Sequence, residues 1–394
     1  MQQQDTSRPA IPGLIWLLGA LTAVGPLSMD MYLPGLPALT SDLHASASAA
    51  QLTLTGCMLG VAMGQLVGGP ICDAHGRRRP LLVGMIAYVV TSLACAVAPS
   101  VWILLVLRVL EGVAGGFGIV IARAIVRDIY GGVAASKTFA TLMVINGIAP
   151  VLAPLIGGQV LRFTDWRGVF VVLAAIGVPM VLAIVRMLPE TLVPEQRHTG
   201  GLPQALQTFG RLLRDRSFAP YAFSYSVSFG AMFAYIAGSS YVLENVFKTS
   251  PQTFSLVFAA NSIGLVAMTQ WGSRLLHCHS PAHLFRIGVI GSAAGSIICL
   301  VVTVAHAEVG WLLVGLFVLV SFQGFVLPNG VSAAMADQPE ALGSASALLG
   351  LGQFGVGAVI APLVGVAGAH NAVPMGIVMA ACGLSSAAVN VLFS

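Results

Sequence analysis

The chain has 394 residues, 57% of them hydrophobic and 8% charged, with a net charge of +4 and a mean hydropathy of +0.90. Soluble domains carry about 25% charged residues, so this composition excludes a water-soluble globular class. Apolar runs recur from end to end, and the 45 Gly and 21 Pro are tolerated better in membrane helices than in soluble ones. A polytopic helical membrane protein follows.

Windows of about 20 apolar residues predict twelve spans. The N-terminal MQQQDTSRPAIP is polar, and the apolar run after it is too long for a cleaved signal peptide, so that run is the first span. The first six spans fall near 13–37, 48–71, 81–99, 101–123, 138–161 and 167–187. The second six fall near 220–243, 253–273, 284–304, 309–331, 341–366 and 371–393. The longest polar interruption gives an N-terminal six-helix bundle over 1–187, a cytoplasmic linker over 188–219 and a C-terminal six-helix bundle over 220–394. With the N-terminus inside, most basic residues fall at cytoplasmic ends or loops, among them Arg77, Arg78, Arg79, Arg127, Lys137, Arg186, Arg211, Arg274 and Arg286. Only Arg162, Arg167 and Lys248 fall outside, and Arg108 lies within a span, which is a strong positive-inside bias with both termini cytoplasmic.

In chain order, the first chemical signal is PLSMDMYLPGLP at 26–37, which sets Asp30 in an apolar span. An ionised Asp in hydrocarbon costs several kcal/mol at least and marks function by default. Next, Gly60-xxx-Gly64-xxx-Gly68 reads as small residues that let helices approach closely. The connection at 69–78 holds Gly69, Asp73, Gly76, Arg77 and Arg78. Asp73 and Arg77 suit a fixed ion pair in a tight loop, and Arg77 has a second candidate partner in Asp128. The competing reading makes the Arg triplet a headgroup anchor only. The 8–9 connection, GSRLLHCHSPAHLFR, lacks the Asp and the triplet, so any internal repeat is degenerate.

Arg108 and Asp30 each sit seven residues inside the outer ends of their spans, roughly 10 Å below that boundary at 1.5 Å per residue. Opposite charges at one depth compensate each other if their helices are neighbours. Glu111 follows Arg108 by three residues and shares its face, one turn nearer the midplane. The plain alternative for these charges is a static pair that fixes packing.

Other patterns point away from chemistry. The six Cys are scattered without a CxxC pair, which disfavours a metal cluster or disulfide framework. No phosphate-binding loop, HExxH or GxSxG occurs, so ATP use and hydrolysis are not expected. Gly350-Leu-Gly352-Gln-Phe-Gly355 matches GxGxxG, but inside a span with no strand before it close helix packing explains it better. His277, His279 and His283 beside Arg274 and Arg286 read as a solvated basic loop.

Several of these motifs resemble the major facilitator superfamily. GPICDAHGRR at 69–78 is similar to its signature loop, with Ala74 where Arg is usual and Arg78 for Lys. Arg108-Val-Leu-Glu-Gly112 is similar to its fourth-span motif, although the family more often has Gln or His at Glu111. NGIAPVLAPLIGG at 146–158, with Pro150, Pro154, Gly157 and Gly158, resembles the antiporter motif, with Ala153 for its usual Gly. MDMYLPGLP at 29–37, ARAIVRDIY at 122–130 and LPET at 188–191 resemble the Bcr/CflA branch of drug:proton antiporters, which includes bicyclomycin and chloramphenicol exporters.

The resemblance implies two six-helix bundles around a midplane cavity, lined in part by spans one and four, with the 69–78 loop as a gating latch. It implies a bacterial inner-membrane efflux antiporter, not an enzyme, that exchanges protons for small amphipathic drugs. Asp30 is then the main proton site, with Glu111 as a second candidate carboxylate and Arg108 tuning both. Tyr32, Tyr225, Phe229, Met232, Phe233, Tyr235 and Gln353 are the cavity candidates, since aromatic and Met walls adapt to many shapes; the alternative for each is helix packing. Small molecules, protons and the lipid bilayer are the expected partners, with no nucleic acid, cofactor or metal, and the chain is expected to act as a monomer. The competing functions are proton-coupled export of a metabolite such as a sugar or amino acid derivative, and a transport-dead membrane sensor. The sensor is disfavoured because the chain shows no signalling domain and stops at Ser394, just after span twelve.

Overall fold

A computed structural model describes residues 13–130, 132–192, 209–337 and 342–393, and every regular element among them is helical. In chain order the long helices are α1 (Leu14–Asp30), α2 (Ala47–His75), α3 (Arg78–Ala96), α4 (Val101–Ile129), α5 (Gly132–Val160) and α6 (Arg167–Met187). They continue with α7 (Ala219–Ser240), α8 (Pro251–Leu275), α9 (Pro281–Val304), α10 (Val309–Met335), α11 (Leu342–Val364) and α12 (Val373–Phe393). Among the described residues ten spans are long and apolar enough to cross a membrane, and Ile148–Val160 and Leu348–Val364 are shorter apolar stretches of α5 and α11. Residues 193–208 of the expected linker, and the Asn146 side chain of the antiporter motif, lie outside what is described.

Local chemistry explains the helix ends. Ser100, Ser250 and Ser280 cap α4, α8 and α9 by accepting from Ile103, Thr253 and His283 N–H, and Pro251 and Pro281 occupy first-turn positions that need no donor. The first span departs from the expected single run over 13–37. Its regular helix stops at Asp30, passes through a 3₁₀ turn at Leu33–Gly35 and resumes as Leu36–Asp42. Pro34 and Pro37 cause the break, since neither can donate to the carbonyl four residues earlier. Conversely, α2 and α4 run past the expected 71 and 123 to His75 and Ile129, because backbone bonding does not stop where the sequence turns polar.

Large apolar side chains on the helix exteriors, such as Trp16, Trp102, Trp271 and Trp311, are exposed as lipid-facing residues are. The helices pack into two compact units. The first takes in 1–31, 56–153 and 167–200; its core joins Leu21 of α1, Met85 and Tyr88 of α3, Ile121 and Ile125 of α4, and Met180 and Ile184 of α6. Within it α2 and α4 cross at backbone contact. A Cβ on Gly60 or Gly64 would overlap the carbonyls of Val109 or Val113, and one on Gly112 that of Cys57. The second unit takes in 32–55, 154–166 and 201–394, with Phe218, Tyr225, Phe285, Val289, Val326 and Leu349 in its core.

Candidate functional site

Within the first unit, α4 carries the charged cluster. Arg108 and Glu111 are both fully buried, and Arg108 Nη1 lies 2.6 Å from Glu111 Oε2. One helical turn of separation puts the two groups within reach on one face. Ser92 of α3 donates to the other carboxylate oxygen of Glu111 at 2.8 Å, and Cys95 Sγ lies 4.0 Å from the first. Arg108 also donates to the Ser28 carbonyl at 2.9 Å, and its guanidinium sits 5.5 Å from the centroid of the Phe170 ring. The Ser28 hydroxyl meets Tyr88 Oη at 2.7 Å, which ties α1 to α3.

Asp30 stands two residues beyond Ser28, at the last position of α1, and is 7% exposed. Arg108 therefore reaches the segment that bears Asp30 but pairs with Glu111. Among the described residues no Lys, Arg or His nitrogen lies within 4.0 Å of the Asp30 carboxylate. The equal-depth expectation made Asp30 the compensating charge for Arg108; the nearer, same-helix Glu111 takes that place.

At the other end of this unit lies the loop cluster. Arg77 Nη1 contacts Asp73 Oδ1 at 2.5 Å, its Nε donates to Asp128 at 2.9 Å, and Nη1 also lies 3.1 Å from Cys72 Sγ. Burial works against the Arg77 charge, but the bonds to Asp128 and Asp73 more than offset it and push its pKa upward, so it stays a cation. Gly76 adopts φ +89°, a left-handed conformation open to Gly, and a Cβ there would stand 2.5 Å from Glu190 Oε2. That proximity has a purpose: Glu190 accepts from the backbone N–H of Arg77 at 2.7 Å and of Arg78 at 3.2 Å, at the positive end of α3. Thr191 donates to Asp128 at 3.0 Å, and Arg78 reaches the Val185 carbonyl at 2.8 Å. Gly69 has open space beside it, so packing does not explain its place in the motif.

Within the second unit, α7 carries most of the aromatic candidates. Tyr225 donates to Gln353 of α11 at 2.8 Å, Phe229 stacks on Phe233 at 6.0 Å, and Tyr235 accepts from Asn261 of α8 at 3.0 Å while stacking on Phe258. Phe233 and Tyr235 are buried by these contacts, whereas Met232 and Gln353 keep partial exposure. Tyr32 is separate from this set and fully buried, bonded to Thr53 at 3.1 Å. Of the glycines in the GxGxxG match, Gly352 packs against Ser226, but Gly350 and Gly355 face open space, so close helix approach accounts for one of the three. His279, on the exposed connection after α8, stacks at 5.2 Å on the exposed His283 in the first turn of α9.

The same unit holds a set of bonds at the end where α1, in the charge-derived topology, leaves the membrane. Thr40 and Tyr241 hydroxyls meet at 2.6 Å, Gln51 donates to the Ala237 carbonyl at 3.0 Å, and Ser48 to that of Pro362 at 3.0 Å. Trp166 Nε1 donates to Asp42 at 3.1 Å. In the antiporter motif, Gly158 packs against Ser255 and its carbonyl accepts from Gln252 at 2.9 Å, while Pro154 and Gly157 are buried and Pro150 half-buried. Sequence reasoning assigned no role to Glu190, Thr191, Ser92, Tyr88 or Tyr241. LPET was a signal for the first two; a lone Ser or Tyr in an apolar span gives none.

Residues 18–362 match the model of the Major Facilitator Superfamily. The chain is 40% identical over 368 residues to an uncharacterized MFS-type transporter, YdgK, of Bacillus subtilis, covering 93% of this chain and 91% of that one. It is 28% identical over 368 residues to a bicyclomycin resistance protein homolog of Haemophilus influenzae, covering 93% and 92%. A crystal structure of the peptide transporter POT in complex with sulfate superposes with a TM-score of 0.77 at 16% identity, covering 97% of this chain and 94% of that one, a likeness of fold.

Proposed function

The chain belongs to the major facilitator superfamily, and on that premise we propose that it is a proton-coupled antiporter that exports small amphipathic drugs by alternating access. It is a multi-pass transporter of the bacterial inner membrane, not an enzyme. Likeness to a bicyclomycin resistance protein homolog supports a drug substrate.

One observation carries the coupling role: Asp30 is a buried carboxylate in a membrane span with no cationic partner among the described residues. Charge in such a place is neutralised by a counter-ion or by a proton. Arg108 already holds Glu111, so the proton is what remains for Asp30. When Asp30 is open to the outside it takes a proton as drug leaves; open to the inside, it loses that proton and substrate binds again. A proton-motive force of roughly 150 mV is worth about 3.5 kcal/mol per proton. One proton per substrate then sustains a gradient of roughly 300-fold.

The test is proton release from purified protein when a drug is added, with substrates chosen from a drug-susceptibility panel of cells with and without expression. Release in the parent and none in Asp30→Asn is the expected result. Unchanged pH-driven drug transport in Asp30→Asn removes Asp30 from the coupling role.

A further inference from the structure

Glu244 is a second membrane-embedded carboxylate, and neither the latch nor the Asp30 cluster uses it. It lies in the π-helical stretch Tyr241–Val246 that continues α7, inside the span Ala219–Val246. Wider bonding produces that stretch: Phe247 N–H reaches the Val242 carbonyl and Thr249 N–H the Leu243 carbonyl, with Lys248 left-handed at φ +57°. Such local departures from the α-helix are frequent at functional sites. The Glu244 side chain is half-buried, and its Oε1 is shut away from solvent with no hydrogen-bond partner.

Among the described residues its surroundings supply no counter-charge; the connection after α11, whose Ala369 carbonyl accepts from Asn245, carries His370, which is exposed and makes no ion pair with Glu244. The Leu36–Asp42 helix, packed against the stretch, offers only Asp42, whose carboxylate accepts from Trp166. The only charged residue of α8, Arg274, sits in its last turn, while Glu244 precedes its first. On its own helix the titratable neighbours are Tyr241 and Tyr235, both hydrogen-bonded phenols, and Lys248 in the next turn is exposed. Among the described residues no cationic nitrogen lies within 4.0 Å of Glu244. Yet its immediate neighbours hold the outer bonds: Tyr241 meets Thr40 at 2.6 Å, and Asn245 donates to the Ala369 carbonyl at 3.3 Å.

We propose that Glu244 is a proton-binding site of the outer gate: a proton taken from the outside lets the Tyr241–Thr40 end close, and its loss favours the open, hydrated end. The closed arrangement shuts one carboxylate oxygen away without a donor, and a neutral acid tolerates that far better than an ion. Opening returns the oxygen to water, where it ionises and the proton leaves to the outside. This proton is bound and released on one side and is not the one carried with Asp30. The inference rests on the transport reading above for the existence of an outer gate.

Ala47, 3% exposed at this end and packed against Gly365, is the reporter position. In right-side-out vesicles, Ala47→Cys is labelled with a membrane-impermeant maleimide across external pH 5.5–8.5, with rates divided by those of a free thiol at the same pH. A single-proton linkage changes the open-to-closed ratio by up to about tenfold per pH unit. The parent is expected to label faster as external pH rises, Glu244→Gln to label slowly at every pH, and Glu244→Asp to regain the pH response. A response unchanged in Glu244→Gln, or absent from the parent, overturns the proposal. Asp30→Asn separates the two readings: it should lose drug-induced proton release and keep the labelling response.

Discussion

Arg108 and Glu111 form a fully buried ion pair at 2.6 Å, and the pairing divides the labour between two carboxylates of one unit. Glu111 neutralises the only Arg buried in the span, and Ser92 satisfies its second oxygen. Asp30, two residues beyond the Ser28 carbonyl that Arg108 also reaches, has no cationic nitrogen within 4.0 Å among the described residues, which is the basis of the proton-site reading proposed above.

That division predicts opposite effects on stability. Removing one partner of a buried pair strands the other and costs about 3–5 kcal/mol. Glu111→Gln should therefore lower the thermal unfolding midpoint of the purified protein by several degrees, since Arg108 stays buried and charged. Asp30→Asn breaks no ion pair and should unfold at or above the parent midpoint. Equal destabilisation by both would mean that Asp30 shares the Arg108 charge.

The positions of the helices were legible in the sequence because bilayer thickness and basic loops leave few alternatives. Site geometry was legible only where partners lie close in sequence. Arg77 and Asp73, four residues apart, were readable as a pair, and Asp128 was readable because the charge bias puts both ends on one expected side, the cytoplasmic one. The partner of Arg108 was not, since depth matching gave Asp30 and helical spacing gave Glu111 with no means of ranking them. Tyr241 and Thr40, 201 residues apart, carry no signal at all, because their meeting depends on how α7 packs. Glu244 was hidden for another reason: it falls at the end of a span, where a charged residue reads as a headgroup boundary.

The loop cluster predicts a change at a native thiol. Cys72 is 1% exposed beneath Arg77, whose guanidinium lies 3.1 Å from its sulfur. Asp128→Asn weakens a charge-assisted bond worth about 1.5–3 kcal/mol, and loosening Arg77 uncovers the thiol. Maleimide labelling of Cys72, resolved from the exposed Cys278 by peptide mass mapping, should rise roughly tenfold or more in that variant. Gly76→Ala should act the same way by another route, since its Cβ displaces the Glu190 carboxylate and the φ of +89° is strained for Ala. Labelling at the parent rate in both variants would show that the cluster is not a latch over Cys72.

The α2–α4 crossing predicts intolerance of volume. A Cβ on Gly60 or Gly112 overlaps the facing backbone, which cannot rotate away as a side chain can. Gly60→Val and Gly112→Val should therefore reduce folded protein in the membrane sharply, beyond the 1–3 kcal/mol typical of overpacking. Gly350→Ala, with open space around it, should leave the amount of folded protein unchanged. Size-exclusion profiles of solubilised membranes check all three, and normal profiles for the first two variants would mean that the helices separate at little cost.

Thr40 and Tyr241 offer a test of the outer bonds that changes no charge. Their hydroxyls meet at 2.6 Å, Thr40 also donates to the Leu36 carbonyl, and neither residue is charged. Tyr241→Phe and Thr40→Ala each remove one side of a neutral bond, worth about 0.5–1.5 kcal/mol. Each should speed labelling of Ala47→Cys by roughly two- to tenfold, because the closed end is the form that makes the bond. The double variant should be no faster than the faster single one, since two residues sharing one bond are not additive. Strict additivity would show that the hydroxyls act separately, and slower labelling in either single variant would show that the bond belongs to the open form.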